Sequence, residues 1–395
     1  MPRVNPEILV WARETAGYNS LADAAAAIKL NDTKKATGAE RLAQLEAGEV
    51  EPSRTLVKRM SEKYRRPLLT FYLNKIPRRG ERGEDFRRVA EASPVEIEPQ
   101  LDALIRNVRM RHDLVRSLLE DEEAEPLEFV ASHNVSAGKQ TVAQSIIEIT
   151  GFDLGEFRRS RDATSAFAYL RNCIESAGLF VLLLGDLGSH HSKINARVFR
   201  GYAISDKLAP FIVINNNDAK AAWSFTALHE VCHIWLGQTG VSGASHEARI
   251  ERFCNDVAGT ILLPSRDVRR LSRISELKPR EQIDAIYEAS RELKISLGMI
   301  AYQLLRNDAI DSTRYTQLVD HFYSDWMRSK ERDPDARRDG SGPSGHVIKR
   351  HRLGPALINL ARRSVDSGIL TPTKASQLLG VKTGSLHALL DYTPA

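Results

Sequence analysis

The sequence predicts a mainly α protein with a small β-sheet, the α+β class, built from more than one domain. Three observations predict it. Apolar residues recur at helical spacing over most of the 395 residues. Short runs rich in β-branched residues are confined to one region, 179–216. Two stretches, 76–94 and 330–345, break the pattern with charge, glycine and proline.

Taken in order, residues 5 to about 75 read as a helical bundle. Asn5-Pro6 opens a helix with Ile8, Trp11 and Ala12 on one face. SLADAAAAIKL (20–30) is a second helix with Ser20 as its cap, and TGAERLAQLEAG (37–48) is a third. Glu51-Pro52-Ser53 starts a fourth helix, which Arg66-Pro67 interrupts before the apolar run LLTFYL (68–73). The polar, basic stretch 76–94 reads as a linker or surface strap. Residues 97–124 and the stretch after Thr141 carry amphipathic helices. AFAYLRNCIESAG (166–178) is a helix ended by Gly178, and 179–185, 197–206 and 210–216 are strands. Helices follow at 223–237 and 245–263, the latter stopped by Pro264, and more fill 265–327. The tail at 369–390 has helix–turn–helix punctuation with Gly380 at the turn. These features divide the chain into a bundle (1–75), a linker and helical region (76–160), a central domain (161–330), a linker (331–346) and a helical C-terminal module (347–395).

Composition narrows the class but names no activity. The chain is 42% apolar and 27% charged, with a formal net charge of +5, as in ordinary globular proteins. Any contact with nucleic acid therefore has to come from a local patch. No run of about 18 apolar residues exists, so no membrane span is expected. MPRVNPEILVWARET lacks the layout of a signal peptide. Three cysteines, Cys173, Cys232 and Cys254, suit a reducing cytosol, and a cytoplasmic location is expected.

The chemistry concentrates in His229-Glu230-Val231-Cys232-His233, an HExxH pattern. Helical residues four apart point about 40° from one another, so both imidazoles leave the same face and can grip one ion. Glu230 lies about 100° round from His229, within reach of an open coordination position. Trp223, Phe225, Leu228, Ile234, Trp235 and Leu236 make the helix a buried one, where two histidines and a glutamate are costly without a metal. The next helix offers Glu247 and Glu251 as a third ligand. Glu251 fits better, because it shares a face with Asn255 and Glu247 sits close to a loop. Asn255 is placed to hydrogen-bond a ligating imidazole. Cys232, about 60° from His229 on the side away from Glu230, reads as a small buried hydrophobe. His190, His191, His246 and Tyr202 are candidates for an oxyanion donor, among which sequence does not choose. PFIVINN is either an edge strand to which a peptide adds or an interior strand.

HEVCHIWLG followed by ERFCNDVAGTILLP resembles the ImmA/IrrE family of metallopeptidases, which pairs HExxH with a downstream E-x-x-x-N and a closing L-L-x-P. Here the last element reads Leu262-Leu263-Pro264, without the intervening residue. The resemblance extends upstream through FRGYAISDKLAPFIVIN (199–215) and is close over 165–270. It implies a zincin-like core, an HExxH helix plus a Glu-bearing helix, with His229, His233 and Glu251 as Zn2+ ligands and Glu230 as the catalytic glutamate. Manganese or iron also suits such ligands. RLAQLEAGEVEPSRTLVKRMSEKY is similar to the third and fourth helices of the Xre-type, lambda-repressor-like helix–turn–helix. That likeness implies contact with double-stranded DNA through residues 5–73, where Lys34, Lys35, Thr37 and Arg41 would meet phosphate or bases. The spacer NDTKK is longer than usual, and Glu40 and Glu46 count against DNA, so a docking role for the bundle stays open. In the family, substrates tend to be repressors of this same type. The expected activity is thus site-specific cleavage of a repressor or antitoxin-type protein, linked to transcriptional regulation. Two rivals stand beside it: a DNA-binding regulator whose peptidase fold is a sensor or scaffold, and a toxin–antitoxin or protein-docking component.

Overall fold

Short polar side chains write the helix starts of this chain, and a computed structural model shows them in place. It describes residues 3–76, 98–188, 192–196, 198–238, 244–332 and 344–391, with backbone alone at 98, 244–248 and 330–332. Of the stretches read as linkers, 76–94 lies outside these from residue 77 on, and 330–345 lies outside over 333–343, its first three residues being the end of a helix. The chain forms two compact units, one built on the described residues up to 109 with the segment 186–194, the other on the described residues of 110–185 and 195–395.

In the first unit, α1 (Pro6–Glu14) begins at Asn5, whose side chain accepts the N–H of Glu7. Ser20 caps α2 (Leu21–Ala27). Thr37 and Glu40 close a capping box on α3 (Gly38–Glu46), satisfying donors that the first turn would leave unpaired. Ser53 caps α4 (Arg54–Tyr64), and the apolar run after Pro67 is a 3-10 turn, Leu68–Tyr72. Leu9, Ile28, Leu42, Val57, Met60 and Phe71 meet in the core. The guanidinium of Arg13 on α1 pairs with Glu46 on α3 at 2.8 Å.

The second unit takes the C-terminal part of α5 (Glu98–Asp121), then α6 (Lys139–Thr150), α7 (Leu154–Arg159) and α8 (Ala163–Ser176). Gly178 follows α8 with φ +97°, a conformation that L side chains rarely adopt, and turns the chain into the sheet. β1 (Phe180–Leu183), β2 (Gly201–Ile204) and β3 (Phe211–Ile214) are ordered β1-β3-β2, with β1 parallel and β2 antiparallel to β3. PFIVINN is therefore the central strand, not an edge. Its run of β-branched residues is buried throughout and pairs on both sides, which removes the edge reading. The strand expected over 197–206 is limited to its second half. Asp206 shapes the β2–β3 connection: its carboxylate accepts the N–H groups of Leu208 and Ala209 and pairs with Arg116 on α5.

β3 leads into α9 (Trp223–Trp235), and α10 (Ala244–Leu262) packs across it and ends just before Pro264. Val181, Leu183, Ala203, Ile212 and Ile214, on one face of the sheet, share a core with Leu228, Val231 and Trp235 of α9 and Val257 of α10. The helices α11 (Ser265–Ser272), α12 (Pro279–Leu293), α13 (Leu297–Arg306) and α14 (Ser312–Arg332) extend that core. Among the described residues no helix is long and apolar enough to cross a membrane.

The tail forms α15 (Gly345–Leu353), α16 (Pro355–Asp366), α17 (Pro372–Leu379) and α18 (Leu386–Leu390), with Gly380 ending α17 at φ +63°. α15 and α16 pack on β1. The junction is built on Arg171 of α8. Its guanidinium pairs with Glu175 at 3.0 Å and donates to the carbonyls of Val181 in β1 and His351 in α15. Glu175 in turn accepts the N–H of Ala356 at the start of α16. Both charged side chains are buried.

Candidate metal centre

α9 is apolar nearly all round, so it belongs in a core rather than at a surface, and all its residues except Phe225 are buried. His229, Glu230 and His233 are at most 1% exposed. Glu251 on α10 completes the group. Nε2 of His229 and Nε2 of His233 are 3.0 Å apart. The Glu251 carboxylate reaches the first at 3.3 Å through Oε2 and the second at 3.2 Å through Oε1. The two helices thus bring two nitrogens and a carboxylate together from 18 or more residues apart in sequence, and among the described residues these three form a group able to hold a metal ion. Burial works to raise the Glu251 carboxyl, but hydrogen bonds and charge from both imidazoles override it and hold that carboxyl well below the ordinary range.

The donor set fits a small divalent cation. Ligands held about 2.0–2.1 Å from a tetrahedral zinc lie about 3.3 Å from one another, close to the separations found here. Two imidazole nitrogens and one carboxylate oxygen are also the donor types that zinc takes. Three protein ligands leave a fourth position open, as catalytic sites do and closed structural sites do not.

Glu230 lies beside β2. A Cβ built on Gly201 would stand 2.6 Å from its Oε1 and 2.6 Å from Cγ2 of Thr226, one helical turn before it. Gly201 is paired with Ile214 and so belongs to the face of the sheet turned to α9. This contact had no signature in the sequence reading, which took FRGYAISD only as a strand. The available signal was a glycine at the head of that strand, which marks the close approach of another group.

The remaining candidates separate. Asn255 is half-buried, one turn beyond Glu251. Cys232 is a buried free thiol inside the apolar core, as expected. Strand alternation puts Tyr202 on the face of the sheet opposite to Gly201, away from α9, which takes it off the list of oxyanion donors. His190 and His191 lie outside the described residues, as does the side chain of His246 and that of Glu247. In the first unit, Lys34 and Lys35 are exposed in the connection between α2 and α3. Thr37 is engaged in the α3 cap, and Arg41 donates to the carbonyl of Asn31 at 2.7 Å.

Residues 188–305 match the family model described as the IrrE N-terminal-like domain, Peptidase_M78. No curated protein and no solved structure matches the chain. The matched segment contains β2, β3, α9 and α10, and with them all four residues of the cluster. Over residues 188–305 the chain is therefore similar to the IrrE N-terminal-like domain of the ImmA/IrrE-type metallopeptidases.

Proposed function

We propose that the protein is a zinc-dependent endopeptidase in which His229, His233 and Glu251 hold the metal and Glu230 is the general base. The observation that carries this reading is the convergence of three donor atoms, 3.0–3.3 Å apart, on two packed helices, with a buried carboxylate one residue from the first histidine. Zinc bound there would polarise a peptide carbonyl and lower the pKa of bound water toward about 7. The Glu230 carboxylate accepts the proton of the attacking water and passes it to the leaving amine. Among the described residues β2 has a strand on one side only, and its head lies against Glu230. A substrate paired in extended form to that edge would run past the base. The substrate class, a helix–turn–helix repressor or antitoxin-type protein, rests on the family resemblance.

The test is Glu230→Gln. The variant is expected to keep one metal per chain and to lose cleavage of a candidate repressor by at least about 100-fold, the usual weight of a positioned base. Cleavage at the wild-type rate would show that the base is misassigned. A wild-type protein purified without any bound divalent metal, and unable to take one up, would sink the metal centre itself.

A second reading concerns residues 5–73, where the exposure of Lys34 and Lys35 favours contact with DNA phosphates. Replacing both by Glu should abolish retardation of a DNA duplex at low salt. If the wild type retards none, the DNA reading falls.

A further inference from the structure

β2 and α9 meet at two small residues, Gly201 and Ala203, both on the sheet face turned to the helix. At Gly201 the space a side chain would fill is already taken. The Oε1 of Glu230 and the methyl of Thr226 each lie 2.6 Å from where a Cβ would be, and the Glu230 Cδ lies at 3.1 Å. Real Cβ atoms do not come that close to other heavy atoms. Gly201 has an ordinary extended backbone, so its glycine is required by space and not by φ. Glu230 is 1% and Thr226 2% exposed, which leaves the carboxylate no solvent to swing into.

Resting on the metallopeptidase reading above, we propose that Gly201 is the positioning residue for Glu230. The bare strand backbone at this point forms one wall of the slot that fixes the carboxylate, and Thr226, one turn back on its own helix, forms another. A methyl group at position 201 forces the carboxylate out of the slot while leaving the three ligand side chains, which reach the metal from α9 and α10, where they are. The consequence is selective. Metal binding survives, and the proton-transfer geometry does not, a misplacement of about 1 Å being worth about 100-fold in rate.

The test uses cobalt(II) as a visible probe in the full chain, with wild type, Gly201→Ala and Glu230→Gln compared. Gly201→Ala is expected to bind one Co2+ with an affinity within about threefold of wild type, and its absorption bands are expected to move in the direction that Glu230→Gln moves them. Turnover of a fluorogenic peptide that the wild type cleaves should fall about 100-fold with KM little changed. The double variant Gly201→Ala/Thr226→Ser, which takes a methyl out of the same slot, should return the bands toward wild type. A Gly201→Ala spectrum identical to wild type overturns the proposal. So does loss of cobalt binding or of folding in that variant that the double variant does not repair, since Gly201 would then serve the fold and not the base. Failure of the metallopeptidase reading looks different: the wild type itself takes up no cobalt.

Discussion

Glu251 sits where burial opposes its charge, and its two histidine neighbours offset that cost. A carboxylate so placed suits a cation, and the neutral amide is the sharpest test. Glu251→Gln keeps the size and loses the charge; it should weaken metal binding by at least about 100-fold, more than an outer-shell change does, as read by competition with a chromogenic chelator. Binding unchanged from wild type would move the third ligand elsewhere. Arg171 shows the opposite use of buried charge. Burial lowers its pKa and pushes Glu175 up, with each partner opposing that effect on the other. Removing one member of such a pair leaves the other uncompensated, so Arg171→Ala should cost about 3–5 kcal/mol in denaturant unfolding. A loss below about 1 kcal/mol would mean that water enters the junction freely. At this scale much was legible in the sequence: HExxH is a local pattern, and Glu251 follows from the helical face it shares with Asn255. Gly201 and Arg171 were not, because their partners come from other elements and a single residue carries no record of them.

Among the elements, helix starts were easiest to read. Asn5, Ser20, Thr37 and Ser53 announce them with side chains that accept backbone N–H groups within three residues. Strand order was harder. A buried β-branched run such as Phe211–Ile214 shows that both faces are covered, not which edges are paired, and β3 proved central. β2 is held to β3 through a connection shaped by Asp206, and this yields a pH dependence. Burial works to raise the Asp206 carboxyl, but the two N–H groups it accepts, with Arg116 and His112, bring it below its ordinary value. A carboxyl depressed in the folded state gives its full stabilisation above about pH 4, the unfolded value, and loses it as pH falls through the folded one. Acid unfolding of the wild type should therefore contain a component below about pH 4 that Asp206→Asn lacks. An unchanged acid limb would show that this connection contributes nothing to acid stability.

Over the whole molecule, the HExxH pattern and Glu251 fall within the stretch similar to the IrrE N-terminal-like domain, while the tail reads from sequence as a separate helical module. Its apolar spacing announces helices without saying what they cover. The structure packs α15 and α16 on β1 and passes the Arg171 network from α8 through the strand into both. Two hydrogen-bonded partners in this network, Arg171 and His351, stand 180 residues apart. On a ribosome adding about 5–20 residues per second, that interval lasts roughly 10 to 40 s. Over its second half, once residue 262 has been made, a nascent chain has both histidine-bearing and glutamate-bearing helices available, while one flank of the sheet beside them waits for its cover. A growing chain in that state exposes sticky surface, so translation speed and chaperone access over the last stretch should govern the yield of folded protein.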